Sequence, residues 1–142
     1  IETLISRSSK NRQMMEVNKV KGKIAITNYK TIEIFENFHT PTLSLLECKL
    51  ETGRTHQIRV HMQSIGHPLV GDRRYGCRYL LPKMADEATI RTIRGFKRQA
   101  LHSRRLEFAH PRGGSPQRFV ADRPGDMQEL VDALELDFEK YS

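Results

Sequence analysis

The chain has 142 residues, a length that suits a single domain with its own hydrophobic core. It carries 24 Lys and Arg against 17 Asp and Glu, so its formal net charge is +7. An excess of this size favours a polyanionic partner, most often nucleic acid, although charge also serves solubility alone. No run of about 18 apolar residues is present, so we expect no membrane-spanning helix.

The cysteines argue against two further classes of protein. Only Cys48 and Cys77 occur, and neither belongs to a Cys-x-x-Cys or a mixed Cys and His zinc spacing. We therefore predict neither a disulfide framework nor a metal site. Because disulfides are rare in reducing compartments, a cytoplasmic setting is the default expectation.

The N-terminal third predicts strands. Residues 1–22 are polar and favour a loop or a short strand pair. Residues 23–35 alternate between apolar and polar side chains, which is typical of a half-buried strand, and residues 28–30 predict a bend within it. A turn is expected at residues 37–41. A second strand follows at residues 42–51, where Leu46 interrupts the alternation and indicates either a bulge or burial on both faces.

The next segment predicts a helix over residues 56–65, with Thr55 as its N-cap and Gly66 as its stop. The buried stripe is expected to contain the apolar side chains that repeat at helical spacing: Ile58, Met62 and Ile65.

The remaining residues alternate between helices and strands. Residues 85–97 predict a helix, residues 100–111 a strand that ends at Pro111, and residues 113–122 a turn with another strand. Pro124 begins the last helix, whose apolar face contains Met127, Leu130, Val131 and Leu134. Because several strands follow one another directly, we predict an α+β fold with a mixed, mainly antiparallel sheet and flanking helices.

Residues 52–76, TGRTHQIRVHMQSIGHPLVGDRRYG, contain four arginines and three histidines beside a regular apolar pattern. His56 and Arg59 share a helix face that begins at the N-terminus of the predicted helix. A helix N-terminus and an arginine fork both favour an anion, either a phosphate or an ionised carboxylate. The alternative is a solvated basic face without a ligand.

Other chemistries have little support in the sequence. The histidines at 56, 61 and 67 are five and six residues apart, which is not the spacing that points two imidazoles at one metal ion. Asp72, between two glycines, is expected to cap a turn or to pair with an arginine. The serines lie outside any G-x-S-x-G context. From the residues alone, the chain is a basic domain with an anion-facing helix start and no identified reaction.

Three stretches resemble the RluA-type RNA pseudouridine synthases. GRTHQIRVHMQSIGHPLVGDRRYG (53–76) is closely similar to a motif of that family, and RQALHSRRLEFAHP (98–111) resembles its RQALHA strand. GKIAITNYKTIEIF (22–35), with its spacing to LLECKLETGR (45–54), is similar to the region before the motif. The resemblance covers most of the chain in the same order.

The resemblance implies isomerisation of specific uridines in ribosomal or transfer RNA to pseudouridine, without a metal or an organic cofactor. The target base is extruded from the RNA stack, detached, turned and rejoined through carbon. In the family, the nucleophile is an aspartate in an HRLD motif, and a tyrosine from a following motif stacks on the base. Neither motif occurs in this sequence. We therefore expect residues 1–142 to be the C-terminal portion of a catalytic domain, inactive without the portion that bears the nucleophile.

The family's motif can be placed on this chain residue by residue. Arg59 matches the arginine that pairs with the catalytic aspartate and keeps its carboxylate ionised. Ile58 matches the apolar residue that lines the uracil pocket. The pocket rim and the RNA backbone contacts are expected from the remaining candidates: Arg54, His56 and Gln57 at the rim, and Arg73, Arg74, Arg104 and Arg105 along the backbone.

Two alternatives stay open at this point. The chain could be a basic RNA-binding module without catalysis, or a structural protein associated with the ribosome. Ribosomal RNA is the favoured partner and transfer RNA the second choice, and no membrane partner is expected. The sequence does not specify the target uridine.

Overall fold

Four strands form the larger sheet of the protein. The computed structural model describes residues 1–35, 43–76, 81 and 85–141. The order of the sheet is β2-β1-β3-β4, and its strands are β1 (Glu2–Arg7), β2 (Met15–Asn18), β3 (Lys23–Phe35) and β4 (Leu43–Leu50). A separate two-stranded hairpin contains β5 (Arg105–Ala109) and β6 (Pro116–Val120). The helices are α1 (Gln57–Ser64), α2 (Glu87–Gly95) and α3 (Gly125–Tyr141).

The predicted α+β class is confirmed. Every strand pair in the described ranges is antiparallel, so these residues show an antiparallel rather than a mixed arrangement. The first 22 residues contain the predicted strand pair, because β1 pairs with β2. None of the helices described is both long and apolar enough to cross a membrane.

The long strand β3 differs from its prediction. The bend expected at residues 28–30 is absent, and these residues pair continuously with β4. The irregularity lies at Ile32, which has no partner because Thr31 pairs with Leu46 and Glu33 with Leu45. An extra residue of this kind bends one strand while its partner stays regular, so the bulge expected at Leu46 belongs to the strand opposite. The turn expected at residues 37–41 lies outside the described residues.

One core cluster joins the sheet to the C-terminal helices. Phe35 and Phe96 are buried with three residues of α3, which are Leu130, Val131 and Leu134. The apolar stripe predicted for this helix is therefore confirmed, and Met127 packs against the same cluster. Helix α2 lies within its predicted range and is capped by Asp86, whose carboxylate accepts the backbone N–H of Thr89 at 2.7 Å.

A second cluster fixes α1 on the other half of the sheet. Ile5 and Ala25, from the neighbouring strands β1 and β3, are buried against Val60 of α1 and Tyr75 of the following loop. Burial of one aliphatic side chain contributes about 1.5–3 kcal/mol, so this contact holds the helix firmly. The start of α1 and the loop that contains Tyr75 are consequently placed side by side.

The burial pattern of α1 corrects two predictions. Ile65 is exposed and Ile58 is only partly buried, whereas Gln57, Val60, His61 and Met62 are buried. Met62 is buried as predicted, but the stripe was wrong for Ile65 and omitted the polar side chains of Gln57 and His61, because it assumed that only apolar side chains face the interior. Thr55 is not the N-cap either, since that position belongs to His56, which makes no side-chain capping bond.

Candidate active site

The loop before α1 is organised by the first residue of the helix. The Oε1 atom of Gln57 accepts hydrogen bonds from the backbone N–H of Arg54 and the hydroxyl of Thr52, at 2.9 and 2.8 Å. Its Nε2 atom donates to the carbonyl of Ile26 and the hydroxyl of Thr27. Both donors and both acceptor positions of this amide are thus used within the chain. Gln57, expected at the pocket rim, lies in the interior.

His61 extends this network across the sheet. Its Nδ1 lies 2.8 Å from the Thr27 hydroxyl and its Nε2 lies 2.9 Å from the hydroxyl of Thr3. Burial lowers the pKa of His61. A neutral imidazole between two hydroxyls satisfies every polar atom at this point, so α1 is anchored by polar as well as apolar contacts.

The central feature of the site is a buried ion pair between Arg59 and Asp72. Nε and Nη2 of the guanidinium donate to the two carboxylate oxygens at 2.7 and 2.8 Å, in a two-pronged arrangement. The Arg59 side chain is 11 % exposed and that of Asp72 is 0 % exposed. Paired hydrogen bonds of this type are stronger and more directional than a single contact. The guanidinium is therefore held in one orientation.

The loop after α1 is folded around the carboxylate of Asp72. Its Oδ1 also accepts the backbone N–H groups of Arg74 and Tyr75, at 3.0 and 3.1 Å. Gly76 closes the turn, because its N–H donates to the Asp72 carbonyl and a Cβ atom there would lie 2.0 Å from that oxygen. Asp72 thus serves both of its expected purposes, as a turn cap and as the partner of an arginine.

The pKa of Asp72 shows which effect dominates at this carboxylate. Burial alone would raise its pKa, but the hydrogen bonds from Arg59, Tyr75 and Arg74 outweigh burial and lower it below the ordinary value. The hydrogen bond to Asp72 in turn raises the pKa of Arg59. Both groups remain charged at neutral pH.

Tyr75 connects Arg59 with the helix start. Its ring lies under the guanidinium, 4.8 Å from the ring centre to the guanidinium carbon. Its hydroxyl accepts the N–H of Met15 and lies 2.8 Å from Nδ1 of His56, whose ring meets it edge to face. Burial lowers the pKa of His56, and the nearby Arg59 and Arg74 add to this effect. The sequence analysis did not include Tyr75 among the candidates. The available signal was its position three residues after Asp72, the expected turn cap, because a tyrosine held against the protein there needs a hydrogen-bond partner for its hydroxyl.

A cavity of about 820 Å³ opens beside this network, between the sheet, α1 and the C-terminal helices. Ile58, Asp72 and Arg73 contribute to its lining together with residues of β4, α2 and α3. The residues around it are mainly apolar, as in many ligand sites. Arg59 stands next to Ile58 in the chain but outside this lining.

The other predicted cations fall into two groups. Arg73 and Arg74 are exposed beside Asp72, and the Nε of Arg54 donates to the carbonyl of Ile24 at 2.9 Å next to the helix start. Arg104 and Arg105 belong to the separate hairpin, where Arg105 lies 3.5 Å from Glu107. The structure therefore brings three of the five cations to the site.

Within the ranges that the structure describes, no three His, Cys, Asp or Glu side chains form a group able to hold a metal ion.

Comparison with known proteins gives this geometry a family. A profile described as RNA pseudouridylate synthase matches residues 1–64. The ribosomal large subunit pseudouridine synthase D of Xylella fastidiosa is 48 % identical over 137 residues, which are 96 % of this chain and 40 % of that protein. The protein of the same name from Pasteurella multocida is 45 % identical over 141 residues, or 99 % of this chain and 42 % of that protein.

A solved structure agrees in fold. Human RNA Pseudouridylate Synthase Domain Containing 1 superposes with a TM-score of 0.62 and 25 % sequence identity, covering 95 % of this chain and 58 % of the human chain. The chain spans about 40 % of the length of the curated relatives named above. The resemblance seen in the sequence is confirmed, and the chain belongs to the RNA pseudouridylate synthase family.

Proposed function

We propose that this chain supplies the arginine half of the active site of an RNA pseudouridine synthase that acts on ribosomal RNA. The nucleophilic aspartate belongs to a motif outside these 142 residues, and Arg59 pairs with its carboxylate. The observation that carries this proposal is the fixed orientation of Arg59 against Asp72 and Tyr75.

The geometry of a guanidinium allows two carboxylates at once. Asp72 occupies the edge formed by Nε and Nη2. The second edge contains Nη1 and the other hydrogen of Nη2, and Nη1 makes no hydrogen bond with any residue that the structure describes. A planar group with five donors can bind a second carboxylate through this edge in the same two-pronged manner. Arg59 can thus be held from one side while it holds a nucleophile on the other.

The local charge favours an ionised nucleophile. Arg59 and Arg74 both act on His56 as nearby positive charges, and Asp72 acts as the opposing negative charge. The cations therefore exceed the anion by one in this group. A carboxylate enclosed with a nucleobase tends to lose its charge through desolvation, and a forked cation at hydrogen-bonding distance opposes that loss. The aspartate would stay ready to attack at neutral pH.

The neighbouring residues fit a base pocket with a basic rim. Ile58 lines the cavity beside Asp72, in the position where the family has an apolar residue against uracil. Arg54 lies next to the start of α1, Arg73 and Arg74 are exposed beside Asp72, and all three would contact RNA phosphates. Such contacts strengthen binding without selecting a sequence. The names of the relatives favour ribosomal RNA over transfer RNA as the substrate.

Substitution of Arg59 by Lys in the full-length protein tests the proposal. Lysine keeps the charge but has no fork, so it cannot hold Asp72 and a second carboxylate together. We expect turnover to fall by about 100-fold or more, since small displacements at a reacting centre have effects of that order. Pseudouridine in the digested RNA measures turnover, and filter binding should show an affinity within about twofold of the original, because phosphate contacts rather than Arg59 carry it.

The control is Arg91→Lys, because Arg91 lies on an exposed face of α2 and pairs only weakly with Glu87. This variant should keep full turnover. Full turnover in Arg59→Lys as well would overturn the assignment of Arg59.

A binding module without catalysis is the second candidate, favoured by the absence of an HRLD motif from the sequence. The two functions differ in cells that lack the parent gene. Loss of a defined pseudouridine in ribosomal RNA supports the enzyme, whereas an unchanged pseudouridine map supports the binding module.

A further inference from the structure

The RQALH segment, residues 98–102, resembles the family but makes no hydrogen bond or ion pair with Arg59, whose partners are Asp72 and Tyr75. It follows α2, and its arginine has four hydrogen bonds. Nε and Nη2 of Arg98 donate to the two carboxylate oxygens of Asp126 at 2.8 and 2.7 Å. Nη1 donates to the carbonyls of Gln99 and Leu101 at 3.2 and 3.3 Å. One guanidinium therefore ties the start of α3 to the backbone of its own segment and holds that segment in a single shape.

The segment lies directly against the loop that ends at Asp72. The backbone N–H of Ala100 donates to the carbonyl of Val70 at 2.8 Å. A Cβ atom at Gly71 would lie 2.0 Å from the carbonyl oxygen of Arg98, so the two backbones touch with no room for a side chain. Gly71 also has a φ of 70°, a conformation that favours glycine. The position of the loop is thus set by the backbone of residues 98–100.

A continuous set of contacts runs from Asp126 to Arg59. Asp126 fixes Arg98, the backbone of Arg98 meets Gly71, and Gly71 precedes Asp72, which holds Arg59 through both carboxylate oxygens. The links are two two-pronged ion pairs, one close backbone contact and one peptide bond. A change in the Arg98 guanidinium would therefore shift the carboxylate that orients Arg59.

We propose that Arg98, fixed by Asp126, is a positioning residue for Arg59 and acts through Gly71 and Asp72. The effect of Arg98 on turnover rests on the proposed function of Arg59. Its effect on the position of the Arg59 side chain does not depend on that function.

The exposure of the pair separates positioning from general stability. The side chains of Arg98 and Asp126 are 39 % and 49 % exposed. Ion pairs with that exposure contribute little to the free energy of unfolding, because water and salt screen them. Loss of the pair should consequently leave the melting temperature nearly unchanged while the geometry at Arg59 deteriorates. Loss of a residue that only stabilises the fold would instead lower the melting temperature and leave the geometry at Arg59 nearly unchanged.

Three variants of the full-length protein provide the kinetic test. Arg98→Gln removes the fork, and Asp126→Asn removes its partner while keeping the shape of that side chain. Arg91→Gln is the matched control, because it also deletes an exposed arginine and its ion pair with an acidic side chain. For the first two we expect kcat to fall by about 10- to 100-fold, with KM within about twofold and an unchanged melting temperature. Arg91→Gln should match the original protein in all three quantities.

The second measurement reads Arg59 directly and does not depend on catalysis. In protein labelled with ¹⁵N-arginine, the Nε–H of Arg59 donates to a buried carboxylate. Its resonance should be shifted from that of exposed arginines and should exchange slowly with water. In Arg98→Gln and Asp126→Asn we expect faster exchange and a shift towards the exposed value, and in Arg91→Gln no change.

These measurements distinguish the two ideas. If Arg59→Lys is inactive but Arg98→Gln has a normal kcat, the positioning is overturned and the proposed function stands. If Arg59→Lys is fully active, the proposed function fails and the Arg59 resonance alone decides the positioning. An unchanged resonance in Arg98→Gln overturns the positioning in either case.

Discussion

The start of α1 and the β5–β6 hairpin distribute their side chains in opposite ways. Around α1, the polar side chains of Gln57, His61 and Asp72 are buried, and each has partners within the chain. On the hairpin, the large apolar side chains of Phe108 and Phe119 are 44 % and 55 % exposed. Polarity alone would have placed these two sets the other way round.

The hairpin is amphipathic although neither of its faces is buried. Leu106 pairs with Phe119 and shares a face with Phe108, whose ring stacks on that of Phe119 at 5.9 Å between centres. The opposite face is charged, and Glu107 lies 3.5 and 3.3 Å from two arginines, Arg105 and Arg118. Contacts across two strands are therefore the main support of the hairpin, whereas the site around α1 depends on a closed set of hydrogen bonds. Removing one member should cost much more free energy at the site than on the hairpin.

The largest effect is expected for Asp72→Asn. This change leaves the Arg59 guanidinium nearly buried without its counter-charge, and breaking such a pair from one side lowers the free energy of unfolding by about 3–5 kcal/mol. The matched hairpin variant is Glu107→Gln, whose carboxylate is half exposed and whose loss should change stability by less than about 0.5 kcal/mol. Urea denaturation compares the two, and equal values would remove the contrast between the regions.

A smaller effect is expected for Thr27→Val, which keeps the shape of the side chain but deletes its hydroxyl. That hydroxyl is fully buried and pairs with Gln57 and His61, so both would lose a partner inside the protein. An unsatisfied buried polar group costs about 1–3 kcal/mol. Thr31→Val, at an exposed position in the same strand, is the control and should be nearly neutral. A neutral Thr27→Val would show that the polar network is not required for stability.

On the hairpin, Phe119→Ser should lower the free energy of unfolding by only about 1 kcal/mol. The ring is more than half exposed, and its stacking on Phe108 is a contact of about 0.5–1.5 kcal/mol. The same urea titration measures it. If Phe119→Ser lowered the free energy of unfolding as much as Asp72→Asn does, the apolar face of the hairpin would contribute to stability as strongly as the site around α1.

The smallest effect on the free energy of unfolding is expected when the pH is lowered. The pKa values of His56 and His61 are lowered in the folded protein, so the unfolded chain binds more protons at mildly acidic pH. The free energy of unfolding should therefore fall as the pH decreases through the unfolded histidine value of about 6.5. The variant His61→Gln should show a smaller fall than the original protein between pH 7.5 and about 5.5. An identical slope would contradict the contribution of His61.

The sequence predicted best those elements in which apolar spacing and burial agree. In α3, Leu130, Val131 and Leu134 recur at helical intervals and are all buried, as expected. The strands β3 and β4 were also located correctly. In β3, however, spacing and burial disagree, because Ile24, Ile32 and Ile34 are exposed whereas Ala25 and Thr27 are buried. The bend expected at residues 28–30 was wrong because turn-forming residue types were given more weight than pairing with β4, which continues through them.

Prediction failed where buried polar groups decide the structure. The inner face of α1 contains Gln57 and His61, which no apolar pattern can reveal, because their burial depends on partners from β1 and β3 that are distant in sequence. The partner of Arg59 within this chain is Asp72, which lies 13 residues away. The sequence predicted for Asp72 either a turn cap or a pair with an arginine, without indicating which arginine. The assignment of Arg59 to a nucleophilic aspartate stays a prediction from the family resemblance.

The backbone conformation of His56 limits which residue types this position can tolerate. With φ at 57°, it adopts a left-handed conformation that costs a non-glycine residue about 1 kcal/mol or more. Gly and Asn accept that conformation more readily, but neither has a ring to meet the hydroxyl of Tyr75. If all twenty amino acids were allowed at this codon, selection for folding alone would enrich Gly and Asn. Recovery of His would show that its imidazole is needed more than a relaxed chain.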